Sequence, residues 1–226
     1  LPPCEVYRQG PLLTREIAIY SLPDVYELVP IHYRELYDFG GMSGRPDDRP
    51  DEDLLVDITI TDGQPLPRHI RNTTPRQQQT FFTMLLTGHP YRPISRLIGI
   101  YADASPRAYG FGDFIDGRFQ YEPVPFERTG VTFQGFDQIT VLNAGDSTRG
   151  RFEFFIREDD AGQVTSFLRC SVIGSVINPQ CSLFENTSHF VLDYGFRRNQ
   201  MHLVDTIRAH AHGFAQCLTA PLEEEI

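Results

Sequence analysis

The chain has 226 residues, 40% of them hydrophobic, and a formal charge of −10. That length can bury a full core, as one large domain or two of about 100 residues each. The hydrophobic content excludes intrinsic disorder, the acidity excludes a nucleic-acid binder with its basic face, and no window reaches the roughly 20 apolar residues that cross a bilayer. All basic residues are arginine, a bias read as GC-rich coding.

Leu1-Pro2-Pro3-Cys4 reads as a mature or trimmed start without a signal peptide, and Pro2-Pro3 is a poor fit to a lipobox, so Cys4 is expected in a disulfide. Strands are expected at 15–20 and 25–31 around the turn Leu22-Pro23-Asp24. Residues 38–53, rich in Gly, Pro, Asp and Arg, read as a solvated loop carrying the acidic run Asp47, Asp48, Asp51, Glu52 and Asp53. Leu54, Val56, Ile58 and Ile60 then alternate as in a half-buried strand that Asp62-Gly63 ends.

Thr74, Pro75 and Gln77 form a helix-start signature, predicting a helix through Phe81, Phe82, Met84 and Leu85 that Gly88 terminates. A strand is expected at 97–103, and a hairpin around Asp116-Gly117 within the aromatic stretch Tyr109–Tyr121. Strands follow at 131–142, 151–157 and 163–173, the last two joined by Asp160-Ala161-Gly162. Phe190, Leu192, Tyr194 and Phe196 alternate in a further strand. A final helix over about 199–217 carries Leu203, Ile207, His210 or Ala211, Phe214 and Leu218 on one stripe, with Cys217 beside it and His202, Asp205, His212 and Gln216 on the other side. Strands with helices after them predict an α+β fold, antiparallel sheet or sheets with one or two helices packed on one face. One domain over 1–226 is expected, with two halves, about 1–125 and 126–226, as the other division.

The four cysteines can pair in three ways. Cys170 with Cys181 is the local choice, which leaves Cys4 for Cys217. A metal site competes poorly: there is no C-x-x-C, and His210 and His212 point to different sides of a helix. Two disulfides place the chain in an oxidising compartment, periplasmic or secreted.

No catalytic signature stands out, and no metal or cofactor is expected. There is no G-x-S-x-G elbow, since Gly174-Ser175 lacks the trailing glycine. Asp159-Asp160 marks a turn, His202 with Asp205 an exposed helical face, and Gly110-Phe111-Gly112 precedes strand and not helix. Asn72-Thr73-Thr74 and Asn186-Thr187-Ser188 fit the glycosylation sequon, which is uninformative if the source is bacterial, as the arginine usage suggests.

Leu168-Arg169-Cys170, Pro179-Gln180-Cys181-Ser182-Leu183 and Leu192-Asp193-Tyr194-Gly195-Phe196-Arg197, followed by an amphipathic helix, resemble a group of bacterial periplasmic proteins. These pair two cysteines around a short loop, continue into a Tyr-x-Phe-x-Arg-like strand and close with a helix. The early run Glu27-Leu28-Val29-Pro30-Ile31-His32-Tyr33 looks like their entry segment. Several are lipoproteins, and some are immunity proteins that neutralise type VI secretion effectors. The chain departs from the group in lacking a tryptophan in the helix and a proper lipobox at Cys4.

The resemblance implies a non-enzymatic inhibitor whose protein partner is a cognate toxin or effector. The acidic run Asp47–Asp53 would steer it to a basic surface, and Tyr109, Phe111, Phe114 and Phe119 would supply aromatic anchors. A cell-envelope scaffold and a hydrolase built from scattered residues are the alternative classes.

Overall fold

In the computed structural model, residues 4–8, 10–22, 25–34, 53–67, 70, 79–103, 113–116, 118–120 and 123–221 are described. After a short helix α1 (Glu5–Arg8), strands β1 (Leu12–Leu22) and β2 (Val25–Arg34) form an antiparallel two-stranded ribbon. The main sheet is antiparallel with eight strands. In spatial order they are β3 (Asp53–Thr59), β4 (Phe81–Thr87), β12 (Val191–Arg197), β11 (Gln180–Asn186), β10 (Val164–Ser171), β9 (Phe152–Glu158), β8 (Phe136–Val141) and β7 (Phe126–Phe133). A small hairpin, β5 (Asp113–Ile115) with β6 (Arg118–Gln120), pairs Phe114 opposite Phe119, as its sequence predicts. Because β4 pairs with β12, strands from both halves of the chain share one sheet.

The α+β expectation holds. Each sheet face carries its own apolar cluster. On one, Val56, Met84, Tyr194, Leu183 and Leu168 meet Ile17 and Ile31 of the ribbon and Ile207, Ala211, Phe214 and Leu218 of helix α3 (Val204–Thr219). On the other, Phe154, Phe167 and Phe184 stack in a row under helix α2 (Arg96–Tyr101). The predicted stripe of the last helix is therefore the buried one, entered through a 3-10 turn at Arg198–Leu203. Strands β9 and β12 fall where their alternation predicts.

Both cysteine pairings are as expected, with Cys4 bonded to Cys217 and Cys170 to Cys181. The first clamps the N-terminal segment to α3. Arg8 reinforces it by donating to the carbonyls of Cys217, at 2.6 Å, and of Pro221, at 3.0 Å, which satisfies helix-end acceptors with a cation.

Three local expectations fail. The helix predicted through Phe81–Leu85 is strand β4; its starting signals at 74–77 lie outside the described residues. Phe82, Met84 and Leu86 are each 0% exposed and recur at period two, and a strand flanked by β3 and β12 satisfies every backbone group by ladders. The strand predicted at 97–103 is helix α2, in which Ile94, Leu97, Ile98 and Ala102 bury one helical face on the sheet. The single strand predicted at 131–142 folds back as the β7–β8 hairpin, because Gln134 and Gly135 both take positive φ, 47° and 76°. The segment around Cys181, to which the sequence pattern assigns no element, is a full strand, β11.

Candidate functional site

The connection from β10 to β11 reads Val172-Ile173-Gly174-Ser175-Val176-Ile177-Asn178-Pro179, eight residues without a charge in a chain of net charge −10. Ile177 is 97% exposed, Ile173 77% and Val176 44%. Full burial of such a side chain is worth about 1.5–3 kcal/mol, and Ile177 and Ile173 are more exposed than the other large apolar side chains at the described surface, such as Val131 at 53% and Val25 at 52%.

The loop is held, not loose. Cys170 and Cys181 face each other across β10 and β11 and their buried disulfide closes its base. Val172 donates its backbone N–H to the Arg151 carbonyl at 2.8 Å. Gly174 makes the turn at φ 89°, and the Ser175 hydroxyl donates to the Val172 carbonyl at 2.7 Å. At the far end the Arg198 N–H donates to the Pro179 carbonyl at 2.9 Å.

Beside the loop lies a cleft of about 240 Å³, with Ile173, Ile177 and Pro179 on one side and Gln79, Arg197 and Asn199 on the other. Its floor is tied down through Gln200, which donates to the Gln79 carbonyl at 3.0 Å and accepts from the Arg197 N–H at 3.0 Å. Arg198 turns its guanidinium onto Glu153 and the Met201 sulfur.

A second polar cluster lies between the sheet and α3. Glu185 of β11, 2% exposed, accepts from Ser166 of β10, Tyr194 of β12, Arg208 at 2.9 Å and His212 at 2.9 Å. Burial alone would push its carboxyl up, yet the hydrogen bonds from His212, Arg208 and Ser166 hold it at about 2. His212 was placed on the exposed side of the helix by periodicity; it is half-buried and reaches this acid. Serine, histidine and glutamate meet here, but the glutamate stands between the other two. A hydrolytic triad needs the histidine in the middle, so this cluster is a polar staple joining helix to sheet. Among the described residues no group of three metal-ligating side chains comes together.

On the opposite face Asp193 of β12 lies between Leu85 and Phe184, and burial pushes its carboxyl up to about 7. Tyr101 lies near it, and Arg169 sets its guanidinium over the rings of Tyr101 and Phe152, 5.2 and 3.6 Å from their centroids.

Of the anchors expected from the sequence, Asp47, Asp48, Asp51, Glu52, Tyr109 and Phe111 lie outside the described residues. Asp53 is the first residue of β3, half-buried opposite Thr87, and so belongs to a sheet edge and not to a loop. Phe114 and Phe119 sit in the β5–β6 hairpin. Loop 172–179 is not among those anchors; its signal in the sequence is an uncharged, isoleucine-bearing run between two cysteines, ending in Asn-Pro.

No protein-family model matches the chain, and no curated protein matches it in sequence. Among solved structures it is similar to Smlt3025, an immunity protein of the Stenotrophomonas maltophilia type IV secretion system. The TM-score is 0.55 at 10% identity, over 92% of this chain and 95% of that one. The two share a fold.

Proposed function

We propose that this chain is an immunity protein, a periplasmic inhibitor that neutralises a bacterial toxin by docking loop 172–179 against it. The observation that carries the reading is the disulfide-braced loop with Ile173 and Ile177 held out in solvent. A rigid loop loses little entropy on binding, and an exposed apolar tip gains most by entering a partner. Two disulfides fit the oxidising periplasm. The fold shared with a known immunity protein supports the reading. That protein serves a type IV system, whereas the motif resemblance named type VI, so the proposal concerns the toxin and not the apparatus that delivers it. The acidic run Asp47, Asp48, Asp51 and Glu52 acts in encounter, by long-range attraction to a basic partner.

The test is protection. The product of the neighbouring gene, sent to the periplasm, should arrest growth, and co-production of this chain should restore it. Ile177→Asp should remove both protection and tight binding while leaving the fold unchanged. If the neighbouring product neither binds nor is neutralised, the immunity reading is wrong and an envelope scaffold takes its place.

A further inference from the structure

The main sheet opens between two of its strands. Strand β8 pairs with β9 through Asp137–Ile156, Gln138–Phe155 and Ile139–Phe154, and there the pairing ends, although β8 runs on to Val141 and β9 begins at Phe152. Continued in register, the ladder would set Val141 opposite Phe152. Backbone groups along a strand point alternately to its two neighbours. Leu142 donates its N–H to the Pro125 carbonyl on the β7 side at 3.1 Å, so the main chain of Val141 faces β9. The bond it would accept there is not made: the Phe152 N–H donates to the Thr148 carbonyl at 3.3 Å, and the Val141 carbonyl accepts from the Ala144 N–H at 3.4 Å. Both distances exceed the usual value of about 2.9–3.0 Å, so a better-placed partner would take over either group at little loss.

The result is a slot of about 350 Å³ in the sheet. Buried Ile139, Val141 and Phe154 form its apolar floor, and Gln138, exposed Thr140 and Glu153 stand at its rim. The unpaired stretch sets Thr140–Leu142 against Arg151–Glu153. At about 3.3 Å per residue it spans roughly 10 Å, the reach of a short extended segment. A helix is about 10 Å across and spends its backbone bonds within itself, so it would not meet these groups.

Slot and loop adjoin. Val172 and Ser175, at the start of loop 172–179, both donate to the carbonyl of Arg151, the residue before β9, at 2.8 and 3.3 Å. Glu153 on the rim holds Arg198, whose N–H donates to Pro179 at the other end of the loop. A partner seated on Ile173 and Ile177 therefore lies against the slot.

We propose that the slot receives an extended segment of the toxin, which enters between β8 and β9, pairs by its main chain with Val141 and Phe152, and covers the floor with an apolar side chain. The inference rests on the immunity reading and adds a second contact with its chemistry. An extended chain carries donors and acceptors along both edges and so serves both walls at once. Main-chain pairing then supplies affinity, and the floor selects the side chain.

The experiment uses the full chain and the purified product of the neighbouring gene. Amide hydrogen exchange is followed at Val141 and Phe152, free and in complex. Dissociation rates are measured for Ile177→Asp and for Thr140→Trp and Leu142→Trp, which place a bulky ring at the slot mouth from exposed positions, Leu142 being 47% exposed. Circular dichroism and disulfide mapping confirm folding. Both amides should exchange at least tenfold more slowly in the complex, and each tryptophan variant should dissociate at least tenfold faster than wild type. A photo-crosslinker at Thr140 should capture one toxin segment. The synthetic peptide of that segment should slow the same amides, and its form N-methylated at alternate residues should not, because the donors to one wall are gone.

If exchange is unchanged and both tryptophan variants dissociate within twofold of wild type while Ile177→Asp fails to bind, the slot is empty in the complex and the inference falls, with the immunity reading intact. Slowed exchange without a crosslink to the toxin, or a crosslink to a second copy of this chain, overturns the toxin as occupant. A peptide that acts equally well when N-methylated overturns the main-chain pairing. If no complex forms with wild type, both readings fall together.

Discussion

Replacing Asp193 by asparagine should stabilise this protein, and by an amount that depends on pH. In the unfolded chain this carboxyl titrates near its ordinary value of 3.8, and in the folded chain burial raises it to about 7. A raised acid binds its proton more tightly when folded. Its contribution is therefore fully favourable below about pH 3.8 and is lost as pH rises through 7. Three units at 1.4 kcal/mol each set an upper bound of about 4 kcal/mol, and local relaxation makes a cost on the order of 3 kcal/mol at neutral pH the working figure. Asparagine has nothing to ionise. Half-buried His210 and His32, whose folded pKa values are lowered by burial first, contribute in the opposite sense, since their stabilisation is lost as pH falls. The clean observable is thus the difference between Asp193→Asn and wild type in urea unfolding, measured from pH 4 to 8. That difference should be near zero at pH 4 and grow in favour of the variant until about pH 7. A difference that stays flat across this range would refute the argument that desolvation raises the Asp193 carboxyl.

The staple at Glu185 predicts the mirror image: Glu185→Gln should cost stability that appears as pH rises from 2 to 4.5 and stays constant above, since its folded pKa of about 2 lies below the ordinary 4.5. Mutating both cysteines of one pair to serine should cost about 3 kcal/mol for Cys170 and Cys181, 11 residues apart, and about 5 kcal/mol for Cys4 and Cys217, 213 apart, by loop-closure entropy; only the first should also speed dissociation from a partner. Gly88→Ala should destabilise the fold by at least about 2 kcal/mol in thermal melts, because its Cβ would come 2.0 Å from the Ala18 carbonyl oxygen, where the ribbon crosses the sheet. Reversing Asp47, Asp48, Asp51 and Glu52 to lysine should slow association at low salt and leave dissociation and melting temperature unchanged, as stopped-flow at two ionic strengths would show.

What could be read in the sequence was what one strand or one helix face determines alone. Leu192, Tyr194 and Phe196 alternate because one side of β12 meets α3, and Ile207, Ala211, Phe214 and Leu218 recur at helical spacing for the same contact. Both disulfides followed from spacing and elimination. The failures came where a segment's neighbours lie far away in sequence. Nothing local says that Phe81–Thr87 will be clasped between β3 and β12, or that residues 96–101 have a row of phenylalanines to lie on. Glu185 shows the same limit, since its partners come from two other strands and a helix, and a strand-bound glutamate reads by itself as solvated.

The site itself was half legible, and the reason bears on what makes a binding loop recognisable. The cysteines announced a staple, and staples were read as general stabilisation. Stabilisation of a whole fold, however, comes chiefly from the bond that closes the long span, Cys4 to Cys217. Cys170 and Cys181 already lie opposite each other in a paired ladder within a buried sheet, where register is set without them. What their bond adds is local: it fixes the ends of an eight-residue loop whose own side chains contribute little to the core. A loop that is costly to expose and yet clamped open, with its isoleucines outward, is under a constraint that folding alone does not impose. Under the proposed function a partner covering Ile177 would supply the missing contact, and the search for function then belongs at 172–179 and not at the buried acids.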